Sequence, residues 1–293
     1  MGINGLLPFF ESIQKPVNIS KYKGKTIAID GHCILHRGCF GAATALALND
    51  STDTYIKHFM HYIGLFKHHG VIPLVVFDGL PLPLKKITTD DRSQKRQSAY
   101  AKGLSYFSQG MYNEAKKHFQ QSVTITPDII RNVILKLKEN KVECIVAPYE
   151  ADAQLAYLLK TKKVNAIVSE DSDLLAYGCS KVIYKIDRAG SGLEINYEDI
   201  FKSPKLHMQN FTQERMRHMC ILSGCDYLPS VKGVGIKTSF EWFYELKTFD
   251  EFFFFGFRSI VAFSIENHIY YQKDMVNNSK KQTWLFFING FMI

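Results

Sequence analysis

The chain contains no Cys-x-x-Cys pair, although it carries six cysteines: Cys33, Cys39, Cys144, Cys179, Cys220 and Cys225. No Cys/His spacing suits zinc either, which argues against a zinc finger and a thioredoxin-like redox site. Unpaired cysteines of this kind point to a reducing, intracellular compartment. Long apolar runs are missing too. The Phe252–Phe257 run is broken by Gly256 and followed by Arg258, and the Trp284–Ile293 run is too short to cross a bilayer. No secretory leader is apparent. Met1-Gly2 opens like an acylation site, but Leu6 stands where that motif needs Ser or Thr. Repeats are absent as well. Tyr106, Gly110, Tyr112, Ala115 and Phe119, ahead of Pro127, resemble a single tetratricopeptide-like helix pair. One copy cannot form a stable array, so the segment reads as a helix pair inserted in a larger fold.

What remains is an ordinary globular composition with a basic balance. The 293 residues are 46% hydrophobic, enough for one large α/β domain or two small ones. The formal net charge is +8. A basic surface around an acidic site suits a polyanionic substrate.

That acidic site is written into four short apolar runs. They are Thr26-Ile27-Ala28-Ile29-Asp30, then Pro73-Leu74-Val75-Val76-Phe77-Asp78. The third is Cys144-Ile145-Val146-Ala147-Pro148-Tyr149-Glu150-Ala151-Asp152, and the fourth Ala166-Ile167-Val168-Ser169-Glu170-Asp171-Ser172-Asp173. Short Val/Ile runs bounded by turn residues read as fully buried strands of a mostly parallel sheet flanked by helices. Ligands of open α/β sheets bind beyond the carboxyl ends of the strands, so these acids converge on one edge. A lone Asp after a strand is an ordinary turn former or helix cap. Acids opening a helix, as Glu150 and Asp152 do, are favoured by its dipole. Four acid-tipped runs in one chain call for a common cause. Clustered carboxylates repel and resist ionisation unless cations cancel their charge. Oxygen-only donors select hard ions such as Mg²⁺ or Mn²⁺, and this many suit two ions about 4 Å apart, as in nucleases and phosphatases.

Two other stretches fit a phosphate polymer. Lys85, Lys86, Arg92, Lys95, Arg96 and Lys102 follow soon after Asp78, with Lys85, Arg92 and Arg96 at spacings that share one helical face. Such a run is most simply a solvated face, but its position beside the acids suits holding a phosphodiester. Further on, Val231-Lys232-Gly233-Val234-Gly235-Ile236-Lys237 lies between helical stretches, where backbone N–H groups can cradle a phosphate. Asp226 adds a seventh acid just before it.

These motifs resemble the flap-endonuclease superfamily of structure-specific 5′ nucleases. Met1-Gly2-Ile3-Asn4-Gly5-Leu6-Leu7 is similar to its N-terminus. Val76-Phe77-Asp78-Gly79, the Ala147–Leu158 block and the Glu170–Gly178 block are similar to its signature segments. The Cys220–Leu228 block resembles the exonuclease 1 branch, and the likeness spans about residues 1–245.

The resemblance implies a PIN/5′-nuclease-like α/β core, divided as follows. Residues 1–82 form its N-terminal part with a wedge, 83–126 a basic helical arch and 127–211 the internal part of the core. Residues 212–248 form a helix–two-turn–helix element, and 249–293 a divergent aromatic-rich segment. It implies one metal at Asp30, Asp78, Glu150 and Asp152 and a second at Asp171, Asp173 and Asp226, with cleavage leaving a 5′-phosphate and a 3′-hydroxyl. Lys85 and Arg92 would engage the scissile phosphate. K⁺ would bind Ser223, Ser230 and the carbonyl of Val234, while Gly233, Gly235 and Lys237 grip the uncut strand. The wedge spans His32 to Leu48, and His32, His36, Lys95 and Arg96 would join it in touching DNA. His32 stands where this branch is expected to carry an aromatic such as Tyr, and the pattern is lost after about Phe249.

The expected activity is a Mg²⁺-dependent 5′→3′ double-stranded DNA exonuclease with 5′-flap cutting, monomeric, nuclear, and working in repair and recombination. Its substrates would be recessed 5′ ends, nicks and 5′ flaps. Mismatch-repair partners are not expected, because the branch's long tail is not seen. The alternatives are a flap endonuclease or junction resolvase of the same superfamily, and a defective isoform that binds DNA without cutting. A phosphomonoesterase is disfavoured by the basic insertion and the Gly turn, both suited to polymer backbones.

Overall fold

The computed structural model describes residues 2–227, 230 and 233–245. Val231, Lys232 and the whole 249–293 segment, with its Phe252–Phe255 run, lie outside the described residues. Two compact units are present. The larger comprises residues 14–174 and 179–197, and the smaller the described parts of 1–13, 175–178 and 198–293.

The chain starts in the smaller unit with α1 (Leu6–Phe9) and enters the larger through β1 (Lys15–Asn18), β2 (Thr26–Asp30), α2 (Gly31–Gly41), α3 (Ala43–Ala47), α4 (Thr54–His68) and β3 (Ile72–Phe77). Two helices, α5 (Lys86–Ser108) and α6 (Tyr112–Ser122), interrupt the alternation. It resumes with α7 (Pro127–Glu139), β4 (Glu143–Val146), α8 (Ala151–Lys160) and β5 (Ala166–Val168). There follow α9 (Asp173–Ala176), β6 (Lys181–Tyr184), β7 (Ser191–Asn196), α10 (Tyr197–Lys202), α11 (Gln213–Leu222) and α12 (Ile236–Glu245).

The strands of the larger unit form one sheet in the order β1-β7-β6-β5-β2-β3-β4. The central pairings β6–β5, β5–β2, β2–β3 and β3–β4 are parallel, while β1–β7 and β7–β6 are antiparallel. The sheet is therefore mostly parallel and flanked by helices, as expected. Ile27, Ala28 and Ile29 of β2 and Val75, Val76 and Phe77 of β3 are inaccessible to solvent, as strands covered on both faces require. β4 differs from its expectation. It is an edge strand, with Glu143 exposed and Val146 53% exposed, because nothing pairs beyond it among the described residues.

Helix α4 covers the sheet with Phe59, Ile63 and Phe66, joined by Tyr55 and Tyr62, while Ile56 and Met60 sit at the margin of the core. Each such buried side chain contributes about 1.5–3 kcal/mol. Helix α7 begins where Thr126 accepts a hydrogen bond from the Ile129 N–H and Pro127 fills the first turn. At the antiparallel side, buried Glu194 accepts from the Tyr22 hydroxyl at 2.5 Å and from Lys21 at 2.9 Å. Helices α5 and α6 pack through Phe119 and a Tyr106–His118 stack at 5.2 Å. Lys85 ends a short 3-10 turn (Pro83–Lys85) and stands before α5. It therefore does not share a helical face with Arg92 and Arg96, which both lie on α5.

Candidate active site

Strands β5, β2, β3 and β4 are parallel neighbours, so their carboxyl ends stand side by side. Asp30 ends β2 and Asp78 follows β3. Glu150 precedes α8 and Asp152 lies in its first turn; Asp171 follows β5 and Asp173 opens α9. Residues far apart in sequence thus meet at one sheet edge.

Asp30, Asp78, Glu150 and Asp171 are each held by protein donors. Asp30, 4% exposed, accepts from the Cys33 N–H at 3.2 Å and from the Ser169 hydroxyl at 2.7 Å. The Cys33 sulfur lies 2.8 Å from the same Asp30 oxygen as Ser169. Burial, then the Asp30 charge, pushes this thiol well up, so it remains a neutral S–H donor. Ser169 also accepts from the Asp171 N–H at 2.9 Å, and Asp171 accepts from the Asp173 N–H at 2.9 Å. Asp78 accepts from the Ala151 N–H at 2.7 Å, pinning the β3 exit to the start of α8. His32 Nδ1 accepts from the Asp78 N–H at 3.2 Å. Lys85 Nζ lies 2.5 Å from Glu150 Oε1, and both side chains are 15% exposed.

The β3 exit is held close to the β4 exit by Gly79. Its N–H donates to the Tyr149 carbonyl at 2.6 Å, and a Cβ there would stand 1.9 Å from the Ala147 carbonyl oxygen. Only glycine allows that approach. Glu170, the remaining acid of the fourth run, pairs with Arg37 and accepts from the Lys185 N–H at 2.9 Å.

The acids act on one another. Burial, then the charges of Asp171, Asp30 and Asp173, pushes the Asp152 carboxyl well above its usual range, and Lys85 opposes the rise. The fully buried Tyr184 phenol is pushed up by burial, then by Cys179 and the charges of Asp171, Asp152 and Asp173, and its hydroxyl has no hydrogen-bond partner among the described residues. Among the described residues no three His, Cys, Asp or Glu side chains already stand at ion-holding spacing. Their oxygens are turned instead to Ser169, Ala151 and Lys85. The set nonetheless fits hard divalent ions. Its donors are carboxylate oxygens, and their mutual repulsion asks for positive charge.

The other expected residues are placed as follows. Arg92 and Lys95 are exposed on α5 and Arg96 is half-buried; His36 is exposed on α2. Asp226, Ser223, Ser230, Gly233, Val234, Gly235 and Lys237 belong to the smaller unit. There Ser223 is buried and donates to the Cys220 carbonyl at 2.8 Å. Gly224 has φ +99°, and Ser230 folds back against it: a Cβ at Gly224 would lie 2.9 Å from the Ser230 nitrogen. Val234 is buried, and Lys237 is exposed in the first turn of α12. Three residues of the acidic edge carry no signal that singles them out in the sequence. They are Ser169, Cys33 and Tyr184. Only Ser169 could have been suspected, from its place inside an acid-tipped run.

Two family models match the chain, the XPG N-terminal domain over residues 1–99 and the XPG I-region over residues 141–226. Exonuclease 1 of Xenopus laevis is 47% identical over 236 residues, and that of Danio rerio 44% identical over 236 residues. The chain belongs to the 5′-nuclease superfamily, in its exonuclease 1 branch. Both alignments take in 80% of this chain but only 32% and 29% of the relatives, so this exonuclease 1-branch chain spans about a third of their length. The catalytic core of Rad2, solved in complex with DNA substrate, shares its fold at a TM-score of 0.67 and 22% identity, over 97% of this chain and 79% of that one. Members of the superfamily use divalent metals; a related junction-resolving enzyme, GEN1, has been solved with product DNA and Mg²⁺.

Proposed function

We propose that the chain is the nuclease core of a two-metal-dependent 5′→3′ double-stranded DNA exonuclease that also cuts 5′ flaps. The observation that carries this reading is the joining of Asp30, Asp152, Asp171 and Asp173 at the ends of adjacent parallel strands, close enough to push Asp152 up. Asp30, Asp78, Glu150 and Asp152 would hold one ion, and Asp171 and Asp173 the other. When bound, such ions lower the pKa of water and offset charge developing at phosphorus.

The chain's own residues supply the rest. Lys85, which pairs with Glu150, would turn to the scissile phosphate together with Arg92 and stabilise charge as it develops there. Ser169 would keep Asp30 and Asp171 aimed. His32, edge-on to Phe77 at 6.0 Å, would offer a ring to an unpaired base, and α2 with α3 would form the wedge beside it. His36, Lys95 and Arg96 would add contacts along the strand. In the smaller unit the Ser223–Ser230–Val234 turn would hold K⁺, with Gly233, Gly235 and Lys237 meeting the phosphates of the uncut strand. The setting is nuclear DNA repair and recombination.

The test is a nuclease assay on a 3′-labelled duplex with a recessed 5′ end, beside a matched 5′-flap substrate, in Mg²⁺. A ladder shortening from the 5′ end, abolished by EDTA and by Asp173→Ala, is the expected result. Cutting confined to the flap junction would move the chain to the flap-endonuclease branch. DNA binding without any cleavage would sink the nuclease reading.

A further inference from the structure

We propose that the sheet edge opposite the acids is a second docking surface, for the phosphate backbone of duplex DNA. The four parallel strands that send Asp30, Asp78, Glu150 and Asp171 to one edge begin at the other, and there the turns are crowded with lysine. Lys23 and Lys25 precede β2, and Lys67 precedes β3. Lys138 and Lys141 precede β4, and Lys162 and Lys163 precede β5; all are exposed. The turns are physically joined. The Lys25 carbonyl accepts from Ile72, the Thr26 carbonyl accepts from Asn165, and Lys67 Nζ donates to the Asn140 carbonyl at 2.6 Å.

A simpler cause explains part of this. Helices of a parallel α/β sheet end at this edge, and lysine is favoured in a last helical turn by the dipole. That accounts for Lys67 in α4, Lys136 and Lys138 in α7 and Lys160 in α8. It does not account for Lys23, Lys25, Lys141 and Lys163, which lie in the turns. Lys141 and Lys162 even take left-handed backbone (φ 54° and 58°), where Gly or Asn is the easier choice. Glu139 and Glu143 are the acids nearby, and Glu139 is already paired with Lys136 at 2.7 Å. Elsewhere in the larger unit, Lys21, Lys57, Lys85 and Lys117 are each matched to a carboxylate, while Lys95, Lys102 and Lys116 on α5 and α6 have no ion pair among the described residues. None of Lys23, Lys25, Lys67, Lys138, Lys141, Lys162 and Lys163 has an ion pair among the described residues.

Duplex DNA is the occupant that fits. Four strands at about 4.8 Å spacing span roughly 14 Å, close to the width of a major groove at about 12 Å, so the two sides of the patch reach the two bounding phosphate rows. The turns carry lysine and no arginine. Compact ammonium charges suit diffuse, sequence-independent phosphate contact, whereas bidentate carboxylate recognition favours arginine. The surface faces away from the acids, so its occupant is a segment other than the one being cut.

The probe is a labelled dumbbell duplex, which has no 5′ end to offer the acidic edge. Its binding is followed by anisotropy across a salt series, in the full chain carrying Asp173→Ala. Replacing Lys23, Lys25, Lys141 and Lys163 together by Gln is expected to weaken binding at least tenfold. It should lower the slope of log K against log salt by about three to four, at about 0.9 per phosphate contact. Replacing the same four by Arg should retain both, and melting curves of the two variants check that folding is unaffected. In the active chain, the Gln variant should still cut a short flap oligonucleotide. An unchanged slope and affinity would overturn the proposal, as would displacement by polyglutamate in preference to unlabelled dumbbell. If the active chain cuts nothing while dumbbell binding still falls in the Gln variant, the nuclease reading fails and the docking surface stands.

Discussion

The Ser169 hydroxyl joins Asp30 to Asp171: it donates to the Asp30 carboxylate at 2.7 Å and accepts from the Asp171 N–H at 2.9 Å. At 2% exposure it is sealed from water that could replace either bond. Two carboxylates expected in different metal sites are thus aligned by one side chain. Ser169→Ala is expected to lower metal affinity or turnover about 10- to 100-fold, the range for lost partners behind metal ligands. Ser169→Thr keeps the hydroxyl and should retain most of the activity. Titrating Mg²⁺ in both variants, with Mn²⁺ binding measured calorimetrically, separates an affinity effect from a turnover effect.

Asp152 makes the metal-free protein less stable as pH rises. Its folded pKa is raised above the unfolded value of about 3.9, so the unfavourable contribution is absent below that value and grows as pH climbs through the folded pKa. Asp152→Asn should therefore raise the melting temperature in EDTA at pH 8, with the gain vanishing near pH 4, while abolishing cleavage. Mg²⁺ should stabilise the wild type more at pH 8 than at pH 5. Calorimetry across this range reads both effects.

Gly79→Ala places a methyl group 1.9 Å from the Ala147 carbonyl oxygen. The β3 and β4 exits would have to part, at a cost of about 1–3 kcal/mol or more. They also carry Asp78 and Glu150, so activity should fall further than stability. Urea unfolding alongside the cleavage assay distinguishes the two losses.

Tyr22 and Lys21 hold Glu194 in its ionised form. Burial pushes the carboxyl up, but their hydrogen bonds outweigh it and leave the pKa lowered. The resulting stability is present above the unfolded value of about 4.3 and is lost as pH falls through the folded one. Tyr22→Phe should cost about 1–3 kcal/mol at pH 7, mostly from the unsatisfied carboxylate, and less at pH 3. Exposed Lys21 cannot compensate on its own.

The acidic edge was legible because β2, β3 and β5 are short, apolar and followed at once by carboxylates, so period and punctuation agree. The antiparallel side was not. β1 contains Pro16, and β7 contains Gly192 and a buried Glu194 whose partner Tyr22 is remote in sequence. β4 read as buried because Cys144-Ile145-Val146 is apolar, and composition alone cannot reveal that a strand ends a sheet. Lys85 was assigned to a helical face by spacing, whereas Pro83 starts a tighter turn that ends at Lys85. Ser169 gains its role only through the β2–β5 pairing, which brings it to Asp30 across the sheet.

That same pairing governs when the acidic edge can be assembled. In register, Ile27 faces Ala166, so β2 waits for a strand made long after it. A nascent chain that has emerged only through α7 already has Asp30, Asp78, Lys85 and Arg92, but neither Glu150, Asp152, Asp171 nor Asp173. Such a fragment holds two of the seven carboxylates expected to bind the ions. The acidic edge of the larger unit is therefore complete only once β5 is inserted between β2 and β6.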